Sequence, residues 1–131
     1  MISDEAVRNI QKRKLRRIIG ETDFIISLRR PYTLSEAHEI SELKLEKIKF
    51  QLELNYLMLQ DVDGSDERKQ LEEERKELQE SLAAELSNGL EILETLTNNL
   101  RDMGAYDKAE ELEILRDVRE SELEEVKGKA P

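Results

Sequence analysis

The residues best suited to chemistry form a cationic cluster close to the start of the chain. Five of the six residues in KRKLRR, residues 12–17, are Lys or Arg, whereas the whole chain carries a formal net charge of −10. Cations at this density on a helix can neutralise phosphates or pair with carboxylates. The predicted basic docking patch consists of Arg8, Lys12, Arg13, Lys14, Arg16 and Arg17.

A second polar segment has a superficial likeness to a calcium-binding loop. In DVDGSDERKQLE, residues 61–72, acidic or hydroxyl side chains occupy the first, third, fifth and twelfth positions. The glycine that such a loop needs at its sixth position stands at the fourth, and Arg68 replaces the usual apolar eighth residue. We therefore predict a turn that caps the following helix, and no metal site.

His38 is the single histidine, and the chain has no cysteine. A di-metal carboxylate bundle needs paired Glu-x-x-His helices, but Ser35 stands where the Glu should be. The sequence also lacks a phosphate-binding glycine loop and a Gly-x-Ser-x-Gly elbow. The prediction is therefore a protein that is not an enzyme, with no catalytic or metal-binding residues, no cofactor and no small-molecule substrate.

The composition predicts long helices around a thin core. Charged residues make up 40% of the chain, apolar residues 37% and aromatic residues 4%, a balance typical of long amphipathic helices. No apolar run approaches the roughly 20 residues needed to cross a bilayer, and the N-terminus lacks a signal-peptide core. We predict a cytoplasmic protein, or part of a particle assembled in the cytoplasm, without a membrane span.

Capping and turn residues divide residues 1–126 into four helices of one domain. Ser3 and the Thr33–Glu36 capping box begin the first two, and the DVDGSDE turn separates the second from the third. Gly104 ends the third helix. The predicted helices span residues 4–29, 34–60, 66–103 and 105–126, followed by a disordered tail at 127–131.

Two glycines, Gly20 and Gly89, fall inside predicted helices. We favour continuous helices because the apolar spacing keeps its phase across both positions. At the first site a strand at FIIS is the alternative, because that run is rich in β-branched residues. At the second site, Gly89 lies on the apolar seam itself, which indicates close approach of a neighbouring backbone. A break at SNG, residues 87–89, is the alternative there.

The segment LRDMGAYDKAEEL, residues 100–112, resembles the inter-helix corner of a tetratricopeptide repeat. Gly104, Tyr106 and Ala109 match the glycine, tyrosine and small residue of that corner. Beyond them Glu113 and Arg116 stand where the family keeps apolar or small residues, and no second copy follows. The resemblance implies a turn between two helices and does not extend to peptide binding.

The second helix carries two apolar rows, whereas one row would suffice for packing on a single neighbour. The first row is Leu45, Ile48, Leu52, Asn55 and Leu59. The second row is Ile40, Leu43, Lys47, Phe50, Leu54 and Leu57. Two rows predict contacts on two sides. The third helix has a matching seam at Leu82, Leu86, Gly89 and Leu93.

Asn55 interrupts an otherwise aliphatic row. In coiled coils a single polar residue in the seam fixes register and partner number at some cost in stability. Asn55 is therefore a candidate for specifying an assembly. The alternative, which the sequence leaves open, is that it contacts water at a helix end.

Charge is distributed unevenly: residues 1–30 carry +4 and the remaining 101 residues carry −14. Such asymmetry indicates an electrostatic partner within the chain or outside it. The cations of the first helix are expected to lie largely on its solvated side. The residues expected to pack inward in that helix are Val7, Ile10, Leu15, Ile18 and Ile19.

The fold class that follows is all-α: an elongated helical bundle or antiparallel coiled coil of about four helices. The predicted function is a non-enzymatic interaction or assembly module, a homo-oligomer or a subunit of a larger viral or cellular complex, whose basic first helix docks on an acidic surface. The leading alternative is a small nucleic-acid-associated regulator that uses the basic helix on phosphates. An acidic inhibitor that mimics DNA is a third interpretation.

Overall fold

The computed structural model describes residues 2–129, and over this range the chain forms four helices and no strand. Helix α1 spans Asp4–Leu28, α2 Leu34–Asp61, α3 Ser65–Asp102 and α4 Tyr106–Lys129. The prediction of an all-α helical bundle is therefore confirmed. None of the helices within this range is long and apolar enough to cross a membrane.

Local capping chemistry explains where the helices begin and end. The Ser3 hydroxyl accepts a hydrogen bond from the Ala6 N–H, and the Thr33 hydroxyl accepts one from the Glu36 N–H, both at 3.1 Å. Each bond satisfies a donor that the first helical turn leaves unpaired. At the end of α3, Gly104 adopts φ +83°, a left-handed conformation that glycine reaches without steric cost.

Helices α2, α3 and α4 share the core. The buried residues Leu45, Leu82 and Leu86 form its centre, and Leu123 and Val126 of α4 pack against them. Helix α1 lies outside this core: in the described part of the chain its only helical neighbour is α2. It therefore buries little, and Leu15 and Thr22 are its buried residues.

Helix α1 covers the second apolar row of α2. Lys47, a member of that row, forms an ion pair with Asp23 of α1 at 2.6 Å. Ile40 is buried, and the remaining apolar members of the row are half-buried: Leu43, Phe50, Leu54 and Leu57. The second neighbour that the two rows predict is therefore α1 of the same chain, so α2 does not need a partner molecule to cover it.

Both internal glycines lie in continuous helix, so the strand at FIIS does not form. At Gly89 the two central helices approach closely, because a Cβ atom there would lie 3.0 Å from the Ser41 hydroxyl oxygen of α2. The sequence predicted that a neighbouring backbone approaches Gly89, and the neighbour is instead the Ser41 side chain of α2. Around Gly20 no described atom lies within 4 Å of a Cβ position.

The last helix extends beyond its predicted end at residue 126. Residues 127–129 are helical, which corrects the predicted disorder for this part of the tail. Val126 packs against the core and holds the last turns of α4 in place, and Lys127 complements the negative end of the helix dipole. The predicted disorder of residues 130–131 lies outside the described residues.

Candidate interaction surface

Helix α1 divides the cationic cluster between two faces. Arg8 and Lys12 turn inward and bind Asp61, the last residue of α2: Arg8 Nη2 lies 2.7 Å from Asp61 Oδ1, and Lys12 Nζ lies 2.7 Å from Oδ2. These cations also lie at the negative end of the α2 dipole. Their pairing corrects the prediction that both face solvent, and removes them from the basic docking patch.

The Asp61 carboxylate is held in its charged form by these cations. Hydrogen bonds from Arg8 and Lys12 lower the pKa of Asp61 from 3.8 to about 2. The hydrogen bond to Asp61 in turn raises the pKa of Arg8. This cluster attaches the first turns of α1 to the end of α2, in addition to the apolar packing of α1 on the second row of α2.

We expect the attachment to weaken in acid. The pKa of Asp61 is lower in the folded chain than in the unfolded chain, so its ionised carboxylate adds to the free energy of unfolding above pH 3.8. This contribution is lost as the pH falls through about 2. The Asp61→Asn variant should therefore show a shallower fall in the free energy of unfolding between these pH values than the unaltered chain. Urea titrations at several pH values measure this. Asp63→Asn, an exposed position two residues away, is the matched control, and equal pH dependence of both variants would contradict the role of Asp61.

The opposite face of α1 exposes apolar side chains. Phe24 is 63% exposed and Leu28 66% exposed, and Val7, Ile10 and Ile25 are exposed by 40–50%. Val7 and Ile10 were expected to pack inward, and this expectation is wrong. Arg8 and Lys12 lie on the side of α1 that faces Asp61, and Val7 and Ile10 lie on other sides of the helix.

The remaining cations share this outer face. Arg13 and Lys14 have no hydrogen bond or ion pair among residues 2–129, and Arg17 has one distant contact, 4.0 Å, with Glu21 of its own helix. Arg16 lies at the edge of the face, with its guanidinium 4.0 Å from the Met58 sulfur. We define the outer face of α1 as Val7, Ile10, Arg13, Lys14, Arg17, Phe24, Ile25 and Leu28.

The predicted seam residues of the central pair lie mostly in the interior. The buried members of the seams are Ile40, Leu45, Asn55, Leu82, Leu86, Gly89 and Leu93, and the half-buried ones on α2 include Ile48, Leu52 and Leu59. Asn55 is 1% exposed, and its side-chain amide donates to the Leu71 carbonyl of α3 at 2.9 Å. It therefore joins α2 to α3 of the same chain and does not contact water at a helix end.

A charged network that the sequence did not reveal joins α4 to α2. The Arg119 guanidinium donates to both carboxylate oxygens of Glu42 and to Glu122, and Lys49 binds Glu122 at 2.8 Å. Burial opposes charge on Glu122, but Lys49 and Arg119 outweigh it and lower the pKa of that carboxyl. Two charges of α2 and two of α4 thus neutralise one another, and Glu42 and Arg119 are 77 residues apart in the chain.

The first half of α3 presents unpaired acids to solvent. Residues 72–77 are all exposed, and Glu73, Glu77 and Glu80 follow one another at spacings of four and three residues, which places them on one side of the helix. These three carboxylates form no ion pair with any described residue. We call them the acidic face of α3.

No family model, no curated protein and no solved structure matches this chain. Within residues 2–129, no three His, Asp or Glu side chains are grouped so that they could hold a metal ion. The outer face of α1 and the acidic face of α3 are therefore the features from which a function can be argued.

Proposed function

We propose that this protein is a non-enzymatic assembly module that self-associates through the outer face of α1. The observation that carries the proposal is the exposure of five apolar side chains on a helix that also carries unpaired cations. These side chains form an apolar group at each end of the helix, with charged residues between the groups, and exposed apolar groups bordered by charged residues are a feature of sites that bind another protein. A second copy is the proposed partner because the chain itself supplies an abundant acidic surface for these cations.

The spacing along the outer face supports helix-to-helix packing. Positions 7, 10, 14, 17, 21, 24 and 28 alternate by three and four residues, the repeat with which helices pack side by side. Val7 and Ile10 lie at one end of this row and Phe24 and Leu28 at the other, with charged residues between them. Apolar ends provide the free energy of association, and the charged middle selects the partner and its register.

The first experiment removes the larger apolar end of the row. The double variant Phe24→Ser and Leu28→Ser should raise the dissociation constant of the oligomer at least about tenfold, because two side chains worth roughly 1.5–3 kcal/mol each no longer become buried. Sedimentation velocity over a range of protein concentrations measures this.

The matched control removes apolar side chains of similar exposure from α4. Tyr106 and Ile114 are 64% and 67% exposed, and their replacement by Ser should leave the dissociation constant unchanged. An unaltered chain that sediments as a single copy at every concentration would overturn the proposal. So would equal losses in the two double variants.

A nucleic-acid-associated regulator is the second candidate, favoured by the unpaired cations Arg13 and Lys14 and by Arg17, whose one contact is at 4.0 Å. The loss of Arg8 and Lys12 to Asp61 leaves fewer cations for phosphates than the sequence offers. A fluorescence titration with generic DNA distinguishes the two functions. Tight binding at low salt that falls steeply with added salt, and vanishes when Arg13, Arg16 and Arg17 are replaced by Ala, would favour the regulator.

A further inference from the structure

We infer that the outer face of α1 docks on the acidic face of α3 of a second copy, with the two helices parallel. The inference rests on the proposed function and names the surface that accepts α1. It joins two observations. On α1, Arg13 and Lys14 form no ion pair among residues 2–129, and Arg17 has one 4.0 Å contact with Glu21 of its own helix. On α3, the three carboxylates of the acidic face form no ion pair with any described residue.

The acidic face lies where α3 extends beyond its neighbour α4. Arg101 of α3 pairs with Glu113 of α4, and Leu82 of α3 packs near Val126, so α4 runs antiparallel to α3 and ends near residue 82. The preceding turns of α3 have α2 as their helical neighbour and are open on their outer side. A helix from another molecule has access to this segment along its length.

The carboxylates of the acidic face lie close together on one helix, and one exposed cation, Lys76, lies beside them, three residues after Glu73 and four before Glu80. Glu73 and Glu77 are four residues apart on one side of the helix, where like charges repel. Helix α1 of the same chain cannot neutralise them, because it packs on α2 and makes no helix contact with α3 among the described residues. Its outer face points away from α2, so the neutralising cations come from a different copy.

A parallel register matches the two surfaces residue by residue. Arg13 and Arg17 are separated by four residues, as are Glu73 and Glu77, so each pair spans about 6 Å of helix. When Arg17 is opposite Glu77, Phe24 is opposite Ala84, because both lie seven residues further along. The antiparallel register, which pairs Arg17 with Glu73, would instead place Phe24 opposite Asp66.

The surroundings of Ala84 suit an aromatic side chain. Ala84 is exposed and lines an open groove of about 580 Å³ between α1, α2 and α3. The groove has apolar side chains, Ile26, Ile48 and Leu78, among polar and charged ones: Asp23, Lys44, Lys47, Gln51, Ser81 and Glu85. A small residue beside a groove that contains apolar side chains leaves space for a bulky aromatic side chain. Phe24, 63% exposed in the single chain, would be buried there.

Charge reversal tests the pairing. R13E/R17E and E73R/E77R each place like charges opposite one another, and each alone should weaken self-association by about 100-fold. An equal mixture of the two variants should recover the affinity of the unaltered chain, because every reversed surface then meets its complement. Sedimentation and mixed-isotope native mass spectrometry measure the recovery, which also shows that both variants are folded.

E120R/E124R is the matched control, since these exposed acids of α4 have the same four-residue spacing. It should neither weaken self-association alone nor restore it when mixed with R13E/R17E. The mixture of R13E/R17E with E73R/E77R could fail to recover affinity even though the unaltered chain associates and F24S/L28S does not. That result would overturn the acidic face of α3 as the acceptor surface and would leave the proposed function standing. An unaltered chain that does not associate at any concentration would overturn both the acceptor surface and the proposed function.

Disulfide trapping tests the register, because the chain contains no cysteine. In the parallel register Glu21 is opposite Ser81, so a mixture of E21C and S81C chains should form a disulfide-linked heterodimer on oxidation. In the antiparallel register Glu21 would be opposite Lys69. Preferential crosslinking of E21C with K69C, and not with S81C, would overturn the parallel docking.

Discussion

Replacing Gly89 with Leu is expected to lower the free energy of unfolding by about 3 kcal/mol. Even the first carbon of a side chain at this position would lie 3.0 Å from the Ser41 hydroxyl oxygen, and the further carbons of Leu have no space between α2 and α3. The helices must separate, which also loosens the packing of Leu86 and Leu93 on either side. Leu is chosen because it is a strong helix former, so any loss reports packing and not helix propensity.

The matched control is Gly20→Leu, the same substitution in the middle of α1. No described atom lies within 4 Å of a Cβ at this position, so the gain in helix propensity should raise the free energy of unfolding by about 0.7 kcal/mol. Chemical denaturation followed by circular dichroism measures both variants. Similar changes at the two positions would contradict the close approach of α2 and α3 at Gly89.

Replacing Arg119 with Ala is expected to lower the free energy of unfolding by about 2–3 kcal/mol. The Arg119 side chain is 15% exposed and donates to Glu42 and Glu122 together. Its removal leaves two half-buried carboxylates with Lys49 as their remaining cation. Removing one member of such a cluster lowers the free energy of unfolding by more than the whole cluster adds to it, because the remaining charges stay partly desolvated without their partner.

An exposed ion pair of the same helix provides the control for Arg119. Lys108 and Glu111 pair at 3.5 Å with both side chains more than 60% exposed, and Lys108→Ala should change stability by less than about 0.5 kcal/mol. Thermal and urea unfolding of the two variants give the comparison. If Arg119→Ala costs no more than Lys108→Ala, the network does not hold α4 on α2.

The helices themselves could be predicted because their signals are local. The Ser3 cap, the Thr33–Glu36 capping box and Gly104 act within four residues of one another in sequence. Continuous apolar spacing across Gly89 likewise predicted an unbroken helix. The predicted ends differ from the structure by a residue or two, apart from the last helix, where packing of Val126 on a distant core residue extends it.

The two faces of α1 could not be predicted, because the decisive contact is with a distant residue. Seen alone, Arg8 and Lys12 are cations that prefer water, and Val7 and Ile10 are apolar residues that prefer the interior. Asp61 lies about 50 residues later in the chain, at the end of α2, and its carboxylate binds Arg8 and Lys12. The two cations therefore face inward, while Val7 and Ile10 are exposed. The outer face on which the proposed function rests lies opposite the side of α1 that makes this contact and buries Leu15 and Thr22.

The sequence alone determined an all-α chain, the approximate bounds of its helices and the seams of its central pair, because capping, turns and helical periodicity act over a few residues. Tertiary structure decided that α1 covers the second row of α2, that Asn55 binds α3, and that Arg119 joins α4 to α2. Those contacts depend on which helix lies beside which, and that arrangement is fixed by the free energy of the whole bundle.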